Sequence, residues 1–202
     1  MLTVAAALLV AVSGSGAMAA GMGRASMMDK TFVQKAAQSD MAEIKTSQLA
    51  LQRGVDGNVR EFAQRMIRDH NMTSMKLKRI AANNSVMVPM HTTAMQQTEY
   101  MRLSKLSGVS FDRAYIQGQV QAHKAAVALF TSEKNRGRNM QLRQFASTTL
   151  PALRDHRMMS MQTASIVMGT SNGRYAHRNG MQHMNNMGHM NNMGGMKHMD
   201  KM

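Results

Sequence analysis

The sequence predicts an all-α protein, an antiparallel four-helix bundle followed by a disordered C-terminal tail. Between residues 29 and 168, apolar residues recur at intervals of three and four, which is the period of an amphipathic helix. The chain has two prolines, and together with this long periodicity they argue against a β-sandwich or barrel. It has no cysteine, which excludes disulfides, thiolate zinc sites, iron–sulfur clusters and a cysteine nucleophile.

Four long helices account for most of the periodic region. Their predicted ranges are 30–53, 59–83, 110–134 and 139–168, with a short helical piece at 94–106. Pro151 should kink or restart the last long helix, because proline lacks the backbone N–H that a helix interior uses. Since two of the three connections between long helices are short, we expect antiparallel neighbours in an up-down-up-down order.

The N-terminal residues are typical of an export signal. Residues 2–12 are almost all Ala, Leu and Val, and Ala17-Met18-Ala19 follows as a small-residue cleavage site. The apolar run is too short to span a membrane, which takes about 20 residues. We therefore predict a signal peptide at 1–19 that is cleaved near Ala19, a linker at 20–28, and a periplasmic protein without a transmembrane anchor.

The segment 169–202 is rich in Gly, Asn, Met and His, and it carries a strict three-residue methionine repeat. Thioether sulfur selects Cu(I), and imidazole suits copper, nickel and zinc. The repeat resembles the Met-rich copper-binding stretches of bacterial copper-resistance proteins and copper transporters. We predict capture of Cu(I) or Ag(I) by the eight methionines and the three histidines next to them. These ligands are Met181, His183, Met184, Met187, His189, Met190, Met193, Met196, His198, Met199 and Met202.

Two other interpretations of this tail stay open. Low-complexity repeats expand by replication slippage and can lack a function. A methionine array can also consume oxidants, because methionine sulfoxide is reduced back to methionine. A segment of this composition cannot bury a core, so we expect it to be disordered by itself. The methionines of the helical region, such as Met66, are interpreted as ordinary core filler.

Four ionisable residues lie on the apolar stripes near the middle of the four long helices: Glu43, His70, His123 and His156. Mid-helix positions share one height in a bundle, so these side chains should converge in the core. Buried polar groups without partners are costly, and they must therefore bond one another, a metal or water. A mononuclear site for Zn, Cu, Mn or Fe and a hydrogen-bonded polar layer that fixes helix register both remain possible interpretations.

Three aspartates near these residues are predicted to be outside the ligand set. The tripeptide Arg-Asp-His occurs at 68–70 and at 154–156, and Asp69 and Asp155 lie one residue off the apolar stripe. They suit a role in orienting a histidine, or pairing at the surface. Asp112 precedes His123 by eleven residues, about 16 Å along the helix axis at 1.5 Å per residue, and its place in the first turn indicates a helix-dipole role.

Several short segments between residues 29 and 168 together form a family pattern: Glu43-Ile44, Phe62-Ala63 to Asp69-His70, Phe111-Asp112-Arg113-Ala114-Tyr115, His123, and Leu150-Pro151 to His156. By these segments, residues 29–168 resemble the ferritin-like bacterial envelope proteins grouped as domain of unknown function 4142. The resemblance implies an exported ferritin-like four-helix bundle and no established activity. Di-iron ferritins use two Glu-x-x-His motifs. The sequence contains none, which argues against a ferroxidase centre.

The chain is strongly basic, with 25 Lys and Arg against 11 Asp and Glu and a net charge of +14. Nucleic acid is the obvious partner for such a charge. The export signal, the 4% aromatic content and the scatter of basic residues argue against it, and they favour an anionic envelope surface. We predict a non-enzymatic periplasmic metal-handling protein, with copper as the expected metal. The alternatives are a structural or stress-related envelope protein without a metal role, and a bundle enzyme with a mononuclear metal site.

Overall fold

The computed structural model describes residues 24–169, and within them the chain is all-α, as predicted. The helices are α1 (Met27–Arg53), α2 (Gly57–Asn83), α3 (Ala94–Ser104), α4 (Gly108–Arg136) and α5 (Met140–Gly169). There are thus five helices in this part of the chain, where a bundle of four was predicted. The short piece is a helix in its own right because Thr93 and Gln96 form a reciprocal capping box at its start. The predicted signal peptide and the tail ligands lie outside the described residues.

Three of the four long helices, α1, α2 and α4, begin two or three residues earlier than apolar periodicity alone predicts, and polar side chains cap two of these three. The Ser26 hydroxyl accepts from the backbone N–H of Asp29, whose carboxylate accepts from the N–H of Ser26. At α2, the Asp56 carboxylate accepts from the N–H groups of Asn58 and Val59. Each cap satisfies N–H groups that have no partner inside the helix. The sequence signal for the earlier start of α1 is the pattern Ser26-x-x-Asp29.

The predicted restart at Pro151 does not occur, since α5 runs without a break from Met140 to Gly169. Pro151 is exposed, so its ring faces solvent rather than a neighbouring helix. The buried side chains of Leu150 and Leu153 on either side hold the helix against the core. The free energy gained by packing this face of α5 therefore outweighs the cost of the backbone hydrogen bond that proline removes.

The four long helices form a closed arrangement in which α1 and α5 each pack against both α2 and α4. Helices α1 and α4 are antiparallel. The rings of Phe32 and Phe130 lie 4.9 Å apart near one end, and Ser47 Oγ lies 2.8 Å from the Tyr115 hydroxyl towards the other. All neighbouring long helices are antiparallel, as predicted, while diagonal helices run in the same direction.

The predicted up-down-up-down order is wrong, because α2 and α4 are parallel. Phe62 lies beside Tyr115, with ring centroids 6.3 Å apart, and eight residues further along both helices His70 lies beside His123. The order is therefore up-down-down-up. The connection at 84–107, which includes α3, returns the chain along the bundle to the end where α2 began. Mid-helix residues still share one height, since height does not depend on helix direction.

Two apolar clusters fill the core, with a polar layer between them. One cluster contains Phe32, Phe130 and Phe145, and the other contains Phe62 and Phe111. On every long helix the buried apolar stripe is interrupted between the two clusters by buried polar residues. These residues are Asp40, Glu43, Thr46 and Ser47 on α1, His70 on α2, Gln119 and His123 on α4, and His156, Ser160 and Thr163 on α5.

A buried pair of carboxyl groups, Asp29 and Glu133, lies where α1, α4 and α5 meet at one end of the bundle. Besides capping α1, Asp29 accepts from the backbone N–H of Arg138 at 2.9 Å and of Asn139 at 3.2 Å, where α5 begins. Glu133 on α4 is fully buried. Burial and the neighbouring carboxylate of Asp29 raise the pKa of Glu133 to about 8. At neutral pH Glu133 is therefore mostly protonated.

The interpretation as core filler is confirmed for Met66 and is wrong for most of the other body methionines. Met66 lies in the apolar core, and it is the single buried methionine of residues 24–169. Ten others are exposed: Met27, Met72, Met75, Met87, Met90, Met95, Met101, Met140, Met158 and Met161. The core is built from Phe, Leu, Val and Ala instead. Between residues 24 and 169, no helix is both long enough and apolar enough to cross a bilayer.

Candidate metal centre

The three mid-helix histidines meet at the centre of the bundle. A ring nitrogen of each of His70, His123 and His156 lies within 4.8 Å of a ring nitrogen of the other two. The ring centroids are 5.7 Å apart for His70 and His123, 5.6 Å for His70 and His156, and 5.4 Å for His123 and His156. Helices α2, α4 and α5 supply one ring each, and the residues are 3%, 1% and 2% exposed. The result is an enclosed three-imidazole cluster.

Each imidazole is held by a hydrogen bond through one of its two nitrogens. His70 Nδ1 lies 2.8 Å from Asp40 Oδ1, and His156 Nε2 lies 2.7 Å from Asp69 Oδ2. His123 Nδ1 lies 3.0 Å from the backbone carbonyl of Gln119. A carbonyl oxygen only accepts, so His123 Nδ1 carries the proton and donates it. Partners of this kind set the orientation and the tautomer of a histidine that binds a metal.

The second nitrogen of every ring is buried and has no hydrogen-bond partner within residues 24–169. These atoms are His70 Nε2, His123 Nε2 and His156 Nδ1. A buried polar atom without a partner costs about 1–3 kcal/mol, so three of them in one place call for an explanation. A neutral ring that donates through one nitrogen presents a lone pair on the other, which is the form that binds metal ions. The donor set therefore fits a metal ion bound by three imidazole nitrogens.

Burial keeps two of the three rings neutral. It lowers the pKa of His123, and it lowers the pKa of His156 to about 4 against the opposing effect of Asp69. His70 differs. Burial acts to lower its pKa, but the hydrogen bond to Asp40 and the negative charges of Glu43, Asp40 and Asp69 outweigh burial and raise it. The negative charge around His70 thus favours a cation at the cluster, either a proton on His70 or a metal ion that takes the place of that proton.

Glu43 lies beside the cluster rather than in the tightest group of ligand atoms. It is 4% exposed, its Oε2 has no hydrogen-bond partner within the described part of the chain, and its charge acts to raise the pKa values of His70 and His123. The group of ligand atoms within 4.8 Å of one another contains the three histidines without Glu43. Glu43 is therefore placed to compensate a bound cation's charge, and a side-chain movement would be needed for it to become a fourth ligand.

Asp40 is the functional residue that the sequence reasoning missed. Its carboxylate is 4% exposed, burial raises its pKa, and it holds His70 from the outer side. A signal was available, because Asp40 follows Ala36 by four residues and precedes Glu43 by three on the same buried face. Asp69 holds His156, in the orienting role considered for it, whereas Asp155 is exposed.

Asp112 lies away from the cluster, at the end of the bundle where α1 joins α2. Its carboxylate accepts from the backbone N–H groups of Val55 and Asp56 at 3.2 and 2.9 Å. It therefore anchors the loop between these helices, which replaces the predicted helix-dipole role. The methionines and histidines of the predicted tail site, from Met181 to Met202, lie outside the described residues.

The fold and the site define a helical-bundle protein with a buried polar layer that contains three histidines. The chain belongs to the DUF4142 family, a domain of unknown function, which matches residues 15–163. Its structure is similar to the crystal structure of a DUF305 fragment from Deinococcus radiodurans, with a TM-score of 0.64 and 14% sequence identity. That match covers 71% of this chain and 99% of the fragment, and at this identity it supports the fold alone. No curated protein matches the sequence.

Proposed function

We propose that this protein handles transition-metal ions and binds one ion in the bundle core through His70, His123 and His156. The observation that supports this most strongly is the set of three unpartnered nitrogens in one enclosed cluster, on rings that are each held from the other side. The long connection at 84–107 supports a ferritin-like arrangement of the bundle, since ferritin-like folds have one such crossover.

Imidazole nitrogens with nearby carboxylates suit Zn(II), Cu, Ni and Fe(II). The negative charges of Asp40, Asp69 and Glu43 around the cluster would offset the charge of a divalent ion. Because the three histidines are at most 3% exposed, a bound ion would have little room for an exchangeable substrate. This enclosure favours storage, transfer or structural use of the ion over catalysis, in line with a non-enzymatic role.

Zinc binding by the full-length protein tests this function. Competition with a chromophoric chelator gives the number and affinity of the bound ions for the wild type and for a His70→Ala, His123→Leu double variant. The matched control is a tail variant with His183→Ala, His189→Ala and His198→Ala. We expect one tight equivalent in the wild type and in the tail variant, and its loss in the core variant. Circular dichroism verifies that the core variant keeps its helix content.

Identical stoichiometry and affinity in the core variant and the wild type would contradict the core site. A full-length protein that binds no zinc, copper, nickel or iron tightly would instead favour the polar-layer interpretation, in which the histidines fix helix register in a structural or stress-related envelope protein.

We also propose that the tail captures Cu(I) or Ag(I), and that the protein does this outside the cytoplasmic membrane. The support is the methionine at every third position from Met181 to Met202, since thioethers are neutral soft ligands and the chain around them is positively charged. Replacing all eight tail methionines by Leu should lower the Cu(I) stoichiometry measured under reducing conditions. Unchanged stoichiometry would remove the tail's role, and cell fractionation of the full-length protein tests export.

A further inference from the structure

The connection between α2 and α3 presents two methionines to solvent. Met87 is 91% exposed and Met90 is 84% exposed, which makes them the two most exposed large apolar side chains of residues 24–169. His91, the next residue, is also exposed. Three side chains that bind soft metals therefore lie within five residues on a surface segment that is not helical.

The segment is anchored, so these side chains are presented from a fixed backbone. Val86 is buried, and its N–H donates to the carbonyl of Ala81 at 2.9 Å. Val88 is half-buried and packs against the apolar cluster that contains Phe32. The side chains at 86 and 88 thus point inwards, and Met87 between them points outwards.

Met87 and Met90 are three residues apart on this segment, on either side of Pro89, and both side chains are open to solvent. Pro89 fixes its own φ angle and disfavours a helical conformation at Val88, which keeps this stretch out of the neighbouring helices. Met87 and Met90 have this spacing, which is also the spacing of the C-terminal repeat, and in both places a histidine is adjacent to a methionine.

The sequence around this segment lacks charged side chains. The chain carries a net charge of +14, yet residues 80–98 contain no Lys, Arg, Asp or Glu. A cation that binds here therefore meets no positive side chain among the sequence neighbours, and the available ligands are neutral. Met95, which is 82% exposed in the first turn of α3, adds another thioether to the same uncharged stretch.

Two other surface pairs have the same spacing but a less favourable setting. Met72 and Met75 on α2 are followed by Lys76 and Lys78, and Met158 and Met161 on α5 are preceded by Arg154 and Arg157. Neither pair has a histidine directly next to it in the sequence. These helical pairs are therefore natural comparators within one molecule.

We propose that the segment 87–91 is a surface site for a soft monovalent cation, Cu(I) or Ag(I), bound by the thioethers of Met87 and Met90 and the imidazole of His91. Thioether sulfur prefers such ions, and a histidine nitrogen adds a stronger donor to the set. The site is separate from the three-histidine core, and it would let the folded domain accept a soft ion at its surface.

Methionine oxidation footprinting of the full-length protein tests this site residue by residue. The protein is treated with hydrogen peroxide in chloride-free buffer, with free Ag(I) held at set values, and sulfoxide formation is followed by peptide mass spectrometry. Silver is the probe because Ag(I) does not cycle with peroxide as copper does, and a bound ion occupies the sulfur lone pair that the oxidant attacks. The matched control is Met140, which is 69% exposed and has no second methionine within three residues.

We expect oxidation of Met87 and Met90 to slow about tenfold when free Ag(I) reaches about ten times the dissociation constant. Met140 should oxidise at an unchanged rate, and His91→Ala should raise the Ag(I) concentration needed for protection. Protection of Met87 and Met90 no greater than that of Met140 would overturn the site. Unchanged protection in His91→Ala would overturn the assignment of His91 as a ligand. Because the readout is local, neither result bears on zinc binding by the core histidines.

Discussion

Replacement of His123 by Leu separates a metal centre from a structural polar layer. His123 is 1% exposed, and its Nε2 has no hydrogen-bond partner within residues 24–169. Leucine is apolar and similar in volume, so it removes this unpartnered nitrogen with little change in packing. It also removes the hydrogen bond from His123 Nδ1 to the carbonyl of Gln119. That carbonyl is not left without a partner, because it also accepts a backbone hydrogen bond within α4.

The sign of the effect on stability should depend on the metal. In the presence of a chelator, removal of the unpartnered nitrogen recovers about 1–3 kcal/mol, and loss of one hydrogen bond costs about 0.5–1.5 kcal/mol. The stability of the variant should therefore lie between about 0.5 kcal/mol below and about 2.5 kcal/mol above that of the wild type. With zinc at one hundred times its dissociation constant, the wild type gains about 2.7 kcal/mol, and the variant gains nothing from this site.

Thermal unfolding of both full-length proteins, with chelator and with zinc, measures this reversal. A gain of about 2.7 kcal/mol raises the Tm of a domain of this size by about 5–11 °C. Metal bound by the tail adds little to the difference, since both proteins carry the same tail. A variant that is destabilised by several kcal/mol in chelator, and that shows the same zinc-induced rise in Tm as the wild type, would refute the reasoning.

Three further outcomes are expected. Asp40→Asn weakens the partner that orients His70, so zinc affinity from chelator competition should fall about 10–100-fold, and unchanged affinity would show that Asp40 has no such role. Glu133 has a pKa of about 8 in the folded state, above its ordinary value of 4.5, so its stabilising effect is fully present below pH 4.5 and is lost as pH rises through about 8. Between these values the free energy of unfolding from urea melts should fall with pH by at most about 1.4 kcal/mol per pH unit from this group, and Glu133→Gln should flatten that slope. Gly54→Ala should destabilise the fold by more than about 1 kcal/mol in the same melts. The reason is that a Cβ at position 54 would lie 2.7 Å from the Ala50 carbonyl oxygen and 2.7 Å from Asp112 Oδ1. A neutral effect would show that the α1–α2 loop can shift.

The sequence was sufficient for the elements of the fold, because helical periodicity is a local property. It placed His70, His123 and His156 at mid-helix, and mid-helix positions meet whichever way the helices run. It was not sufficient for helix order. The direction of α4 is determined by tertiary packing of the connection at 84–107, which no local pattern encodes.

The immediate environment of the site was predicted less completely than its histidines. Asp40 is a carboxylate on a buried helix face. Its hydrogen-bond partner in the core is His70, which is 30 residues away in the sequence. The exposure of Met87 and Met90 also depends on tertiary structure, because Val86 and Val88 take the inward positions. Composition indicated an excess of methionine and could not indicate on which side of the chain each one lies.

X-ray diffraction from crystals of the zinc-loaded full-length protein, recorded at the zinc absorption edge, locates the ion that the core histidines are proposed to bind. We expect one anomalous peak inside the bundle, about 2.0–2.1 Å from His70 Nε2, His123 Nε2 and His156 Nδ1. Anomalous peaks at surface or tail residues, with none between the three imidazoles, would contradict the core site.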